Sequence, residues 1–88
     1  MSNNAKEIQF PCRWEFRLIA HAPQVNETRS AVAAIGEAEK VEFEVTAGES
    51  SGGGKYAALR VSCMVGSLDQ ARALAGKLSK ADGVKFTL

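Results

Sequence analysis

Residues 56–88 read YAALRVSCMVGSLDQARALAGKLSKADGVKFTL, and two changes of period inside them decide the fold. Over Tyr56–Val65 the residues alternate. Ala57, Leu59, Val61, Cys63 and Val65 share one face, and Tyr56, Ala58, Arg60, Ser62 and Met64 share the other. Period two with one apolar face predicts a half-buried strand. Ser67 is followed three residues later by Gln70, the spacing of a capping box. Leu68, Ala71, Leu74, Ala75 and Leu78 then recur at helical spacing among strong helix formers. Asp82-Gly83 turns the chain, and Val84, Phe86 and Leu88 alternate with Lys85 and Thr87 as a last strand.

The first half repeats the pattern. Phe10-Pro11 opens the ordered part, since proline suits the start of a strand. Trp14, Phe16, Leu18 and Ala20 alternate with Glu15, Arg17, Ile19 and His21, predicting a strand over Trp14–Ala22. Pro23 fits the first turn of a helix. Val25, Ala31, Val32 and Ile35 give that helix a sparse apolar stripe; Gly36 can serve as its stop, or the helix can run a few residues further. Val41, Phe43 and Val45 alternate with Glu42, Glu44 and Thr46 as a second strand. Ala47–Lys55, with Ser50, Ser51, Gly52, Gly53 and Gly54, is expected to be a flexible hairpin loop.

The order βαββαβ with right-handed crossovers places the first and third strands in the centre of an antiparallel sheet. The expected fold is α+β and ferredoxin-like, a two-layer sandwich with both helices on one face. The inward face receives Trp14, Phe16, Leu18, Val41, Phe43, Val45, Leu59, Val61, Val84 and Phe86. The open face carries Glu15, Arg17, Ile19, His21, Glu42, Glu44, Tyr56, Arg60, Met64 and Lys85.

At 88 residues the chain has room for one domain, expected over residues 10–88 behind a mobile tail at 1–9. Its 45% hydrophobic content argues against disorder. Eleven Lys+Arg against 10 Asp+Glu leave no bias toward nucleic acid or anionic membrane. No apolar run approaches the roughly 20 residues of a membrane span. The polar start lacks the pattern of a secretory signal, so a cytoplasmic protein with reduced Cys12 and Cys63 is expected.

Phe10-Pro11-Cys12, Phe16-Arg17-Leu18-Ile19, Ser50-Ser51-Gly52 leading to Tyr56, Ser67-Leu68-Asp69-Gln70 and the ending Val84-Lys85-Phe86-Thr87-Leu88 occur in one order. In that order, over about residues 10–88, the chain resembles the YbeD-like family of small bacterial proteins of unknown function. The resemblance implies a ferredoxin-like fold akin to the ACT-type regulatory domains of amino-acid metabolism. It implies no activity. The loop at Gly52-Gly53-Gly54-Lys55 is longer and richer in glycine than the family pattern, and the first helix has a thinner apolar stripe.

Catalytic patterns are wanting. A phosphate-binding loop requires G-x-x-x-x-G-K-[ST] between strand and helix; here Lys55 precedes Tyr56, between two strands. His21 is the one histidine, with no nucleophile to serve and no second ligand for a metal. Cys12 and Cys63 share inward parity on neighbouring strands, so their thiols are expected to lie near each other and unpaired. The central outward positions Glu15, Arg17, Ile19, Ala58, Arg60 and Ser62 offer no aromatic platform for bases. Both edge strands leave backbone groups open to strand addition by a partner or a second copy, the alternative being a monomer with short protected edges.

These readings lead to a non-enzymatic regulatory or adaptor protein without cofactor or metal. It is expected to contact an unknown protein partner, or itself, through a sheet edge or the open face. The alternative is an ACT-like sensor of a small molecule such as an amino acid. An enzyme, an RNA-binding domain or a membrane protein ranks last. The candidate contact residues are Arg17, Tyr56 and Arg60 on the open face and Ser50, Ser51 and Lys55 in the hairpin.

Overall fold

A computed structural model of the chain describes residues 8–51 and 54–87. The expected tail at 1–9 falls mostly outside them. Strand β1 spans Cys12–His21, helix α1 Val25–Glu39, β2 Glu44–Ser51, β3 Tyr56–Val65, α2 Leu68–Leu78 and β4 Val84–Thr87. The sheet order is β2-β3-β1-β4, every pair antiparallel. This is the expected ferredoxin-like α+β arrangement.

Alternation in β1 and β3 places Phe16, Leu18, Leu59, Val61, Cys63 and Val65 in one buried layer. Val32 of α1 and Ala71, Leu74 and Leu78 of α2 close it from the helix side. Removing such side chains from water is the main drive for the fold. Phe10 stacks on Trp14 at a centroid distance of 6.4 Å, extending the apolar layer beyond the start of β1. The Ser67 cap of α2 forms as read, while the return bond from Gln70 shifts by one residue to Gly66. Gln70 N–H donates to Ser67 Oγ at 3.0 Å, and Gly66 N–H donates to Gln70 Oε1 at 2.6 Å.

Several boundaries differ from the sequence reading, and β1 runs over Cys12–His21 rather than Trp14–Ala22. Gly36 does not stop α1; it is buried within it, where an added Cβ would lie 2.9 Å from the Val41 carbonyl and 3.0 Å from Phe43. The helix ends at Lys40, whose left-handed backbone (φ 59°) supplies the C-cap. Strand β2 begins at Glu44, not Val41, because Val41 N–H donates back to Gly36 O at 2.8 Å. Val41, Phe43 and Val45 still pack against the core.

The segment from Ala47 to Ser51 is not loop. It continues β2 through a register shift between Ala47 and Ser50, so Ser50 pairs with Ala57 and Ser51 with Tyr56. The absent side chain of Gly48 lets β2 approach Ala58, where a Cβ would sit at 2.9 Å. Gly52 and Gly53 of the expected loop lie outside the described residues.

The last correction concerns β4. Val84 pairs with Ala20 and Phe86 with Ile19, so Lys85 is an extra residue that shifts the parity. Thr87, not Phe86, takes the register position opposite the inward Leu18. Its hydroxyl is buried there without a hydrogen-bond partner.

Candidate functional site

With both helices packed on one face, the other face of the sheet carries the odd-numbered residues of β1 and the even-numbered residues of β3. The register sets them in rows: Arg13 opposite Met64, Glu15 opposite Ser62, Arg17 opposite Arg60, Ile19 opposite Ala58, and His21 opposite Tyr56. Arg13, Glu15, Arg17, Arg60 and Met64 are exposed.

Charge is unevenly distributed along these rows. At one end Arg13 pairs with Glu44 of β2 and donates to Ser62 Oγ at 3.1 Å, joining three strands. Glu15 comes next, with Oε2 at 3.6 Å from Arg60 Nε. Both pairs are about half exposed, and each contributes under about 1 kcal/mol. Among the described side chains, which do not include Glu49, Arg17 has no acidic partner. It faces Arg60 directly, and like charges in that position oppose strand pairing by up to about 1 kcal/mol.

Beyond Ile19 the face ends in a second cluster. The His21 and Tyr56 rings lie 5.7 Å apart at a 44° tilt, and Lys85 Nζ stands 5.6 Å from the Tyr56 ring centroid. Lys85 follows the inward Val84 and so lies on the open face, where its ammonium makes a cation–π contact with Tyr56. Two backbone bonds anchor the end of β1: His21 N–H to Gly83 O at 3.0 Å and Ala22 N–H to Lys55 O at 2.9 Å. Beside the rings lies an open groove of about 730 Å³ lined by His21, Pro23, Gln24, Gly54, Lys55 and Tyr56.

The candidate residues thus fall into two groups. Arg17 and Arg60 meet in mid-sheet. Lys55 and Tyr56 meet at its end, next to the backbone of Ser51, with Ser50 one pair further along β2. Arg60 lies four positions along β3 from Tyr56, about 13 Å of strand. His21, Pro23, Gln24 and Lys85 were not among the candidates. The parity of β1 places His21 on the open face at the strand end, and alternation in β4 places Lys85 there too; its nearness to Tyr56 comes from the packing of β4 and β3 on either side of β1, which alternation within one strand does not show.

The two thiols are free, and their expected closeness is not a direct pairing. Cys12 lies opposite Val65 and Cys63 opposite Trp14, a diagonal relation with Cα atoms about 7–8 Å apart. A disulfide needs about 4.4–6.8 Å. Burial pushes the Cys63 thiol pKa up, with Arg13 pulling it the other way. Among the described residues no three His, Cys, Asp or Glu side chains are grouped to hold a metal. No helix among them is long and apolar enough to cross a membrane.

The family model described as a protein of unknown function, DUF493, matches residues 5–88. This bears out the resemblance to the YbeD-like family. The solution structure of HP0495 from H. pylori is similar with a TM-score of 0.78 at 25% identity, covering 92% of this chain and 85% of that one. Another HP0495 solution structure, from Helicobacter pylori, gives 0.61 at 24% identity over 90% and 87%. The C-terminal domain of the MgtC protein from Mycobacterium tuberculosis gives 0.69 at 12% identity over 92% and 88%, a likeness of fold alone. No curated protein matches the chain.

Proposed function

The chain belongs to the DUF493 family of proteins of unknown function, and from that premise we propose that it is a non-enzymatic regulatory or adaptor protein that acts by contact with another protein through its open sheet face. One observation carries this reading: the sheet face left bare by both helices holds two directly opposed arginines at its centre. A like-charge pair in that place works against the fold, and a partner's surface would relieve it. The grooves on this small body are open to solvent, which suits contact better than enclosed chemistry.

Affinity capture with the purified protein tests the reading. A specific protein should be retained by the native chain and by Arg29→Glu, altered on exposed α1, and lost with Arg17→Glu. Equal retention by all three would refute it. The groove beside His21 and Tyr56 favours a second reading, a small-molecule sensor. A melting screen against an amino-acid panel addresses that reading, since ligand at about 100 times Kd adds about 2.7 kcal/mol of apparent stability.

A further inference from the structure

We infer that Arg17 and Arg60 form a receptor for the carboxylates of an acidic, extended segment of a partner protein. The inference rests on the adaptor reading above and names the chemistry of the partner.

Ala22 N–H donates to Lys55 O, so the even-numbered residues of β1 occupy the hydrogen-bonded pairs with β3. Arg17 and Arg60 therefore form a non-hydrogen-bonded pair, with Cα atoms about 4.5 Å apart and side chains at their closest. Glu15, at 3.6 Å from Arg60 Nε, is beyond hydrogen-bond distance. The register thus sets both arginines on one part of the face, where Arg60 keeps only a long ion pair with Glu15 that is not a hydrogen bond. Planar guanidinium forks match carboxylates with paired hydrogen bonds, which makes arginine the better residue for such a clamp than lysine.

The positive run continues along the strands. Lys85, held over Tyr56, and Lys55 beside it have no acidic partner among the described side chains, which do not include Glu49. From Arg17 to His21 is four residues of β1, about 13 Å. An extended segment with acids four residues apart spans that distance. Arg13 and Glu44 neutralise each other at the opposite end, so the attraction is confined to the Arg17-to-Lys85 half. A single-stranded nucleic acid would need stacking side chains on the central strands. The rings on those strands, His21 and Tyr56, stand together at the end of the face with Lys85 against Tyr56, and the stretch between them and the arginines carries only Ile19 and Ala58, so successive bases have no continuous platform and a protein acid is favoured over a phosphate chain.

Titration of isotope-labelled protein with hexaglutamate, hexalysine and oligouridine, followed by amide chemical shifts, tests the assignment. Hexaglutamate should move amides around Arg17, Arg60 and Lys85. Its affinity should fall at least tenfold in Arg17→Gln and in Arg60→Gln, under twofold in Arg29→Gln, and steeply with salt. The doubly reversed Arg17→Glu/Arg60→Glu chain should prefer hexalysine. No shifts with hexaglutamate, shifts confined to the helices, or tighter binding of oligouridine would each overturn the assignment. If hexaglutamate fails while Arg17→Glu still abolishes capture of a partner protein, the acidic chemistry is wrong and the adaptor reading stands. If both fail, both fall.

Discussion

The Thr28 hydroxyl of α1 lies 2.6 Å from the carbonyl oxygen of Asp82, and it donates its proton across 54 residues of chain. Thr28 is fully buried, with the Gln24 carbonyl also at 3.0 Å. The turn it holds brings Gly83 so close that an added Cβ would collide with Thr28 Oγ1, at a backbone φ of +84°. Gly83→Ala should therefore cost about 2–4 kcal/mol in urea denaturation, from left-handed strain and overlap together. Part of that cost should vanish in a Thr28→Ala background, because the colliding atom is gone. Strict additivity of the two substitutions would argue against this contact.

Two helical glycines should respond with opposite signs. Gly36 faces Val41 O and Phe43, and Gly36→Ala should destabilise by about 1–2 kcal/mol after the helix-propensity gain is counted. Gly76 in α2 has nothing within 4 Å of an added Cβ. Gly76→Ala should stabilise by about 1 kcal/mol. Thermal or urea unfolding of the pair decides the matter.

Thr87 carries a buried hydroxyl without a partner. Replacing it by a methyl removes an unsatisfied group at nearly constant shape. Thr87→Val should raise stability by about 1 kcal/mol. A loss of similar size would mean that the hydroxyl is hydrogen-bonded in solution.

The cysteines should differ in reactivity. Cys63 is 1% exposed and Cys12 is partly exposed. A thiol reagent should modify Cys12 first, and Cys63 only as the fold opens. Because burial raises the Cys63 pKa, the folded state holds that proton more tightly than the unfolded chain. The resulting stability is complete below the unfolded thiol value of about 8.5 and is lost as pH rises through the folded value. Stability measured from about pH 8 to about pH 10 should decline less in Cys63→Ala than in the native chain.

Local signals carried much of the architecture. Strand β3 begins and ends at Tyr56 and Val65 as the alternation predicts, and α2 starts after Ser67 as its cap predicts. What the residues concealed depends on contacts between distant segments. Gly36 looks like a helix stop until Phe43 is seen against it. Gly48 looks like loop until β2 is seen passing Ala58. Lys85 looks like one step of an even alternation until Ile19 and Ala20 take Phe86 and Val84 as partners and leave Lys85 between them. The same limit applies to the candidate site. Parity put Arg17 and Arg60 on the open face, but only the register, in which Trp14 meets Cys63 and His21 meets Tyr56, sets them opposite each other.

The central claim is that this protein works through its bare sheet face. Photo-crosslinking in the cells that make it tests that claim most directly, with benzoylphenylalanine at Ile19 on the sheet face and, separately, at Ala33 on exposed α1. The account predicts a discrete protein adduct from position 19, absent from position 33 and abolished when Arg17→Glu is added. No adduct from position 19, or the same adduct from position 33, would contradict it.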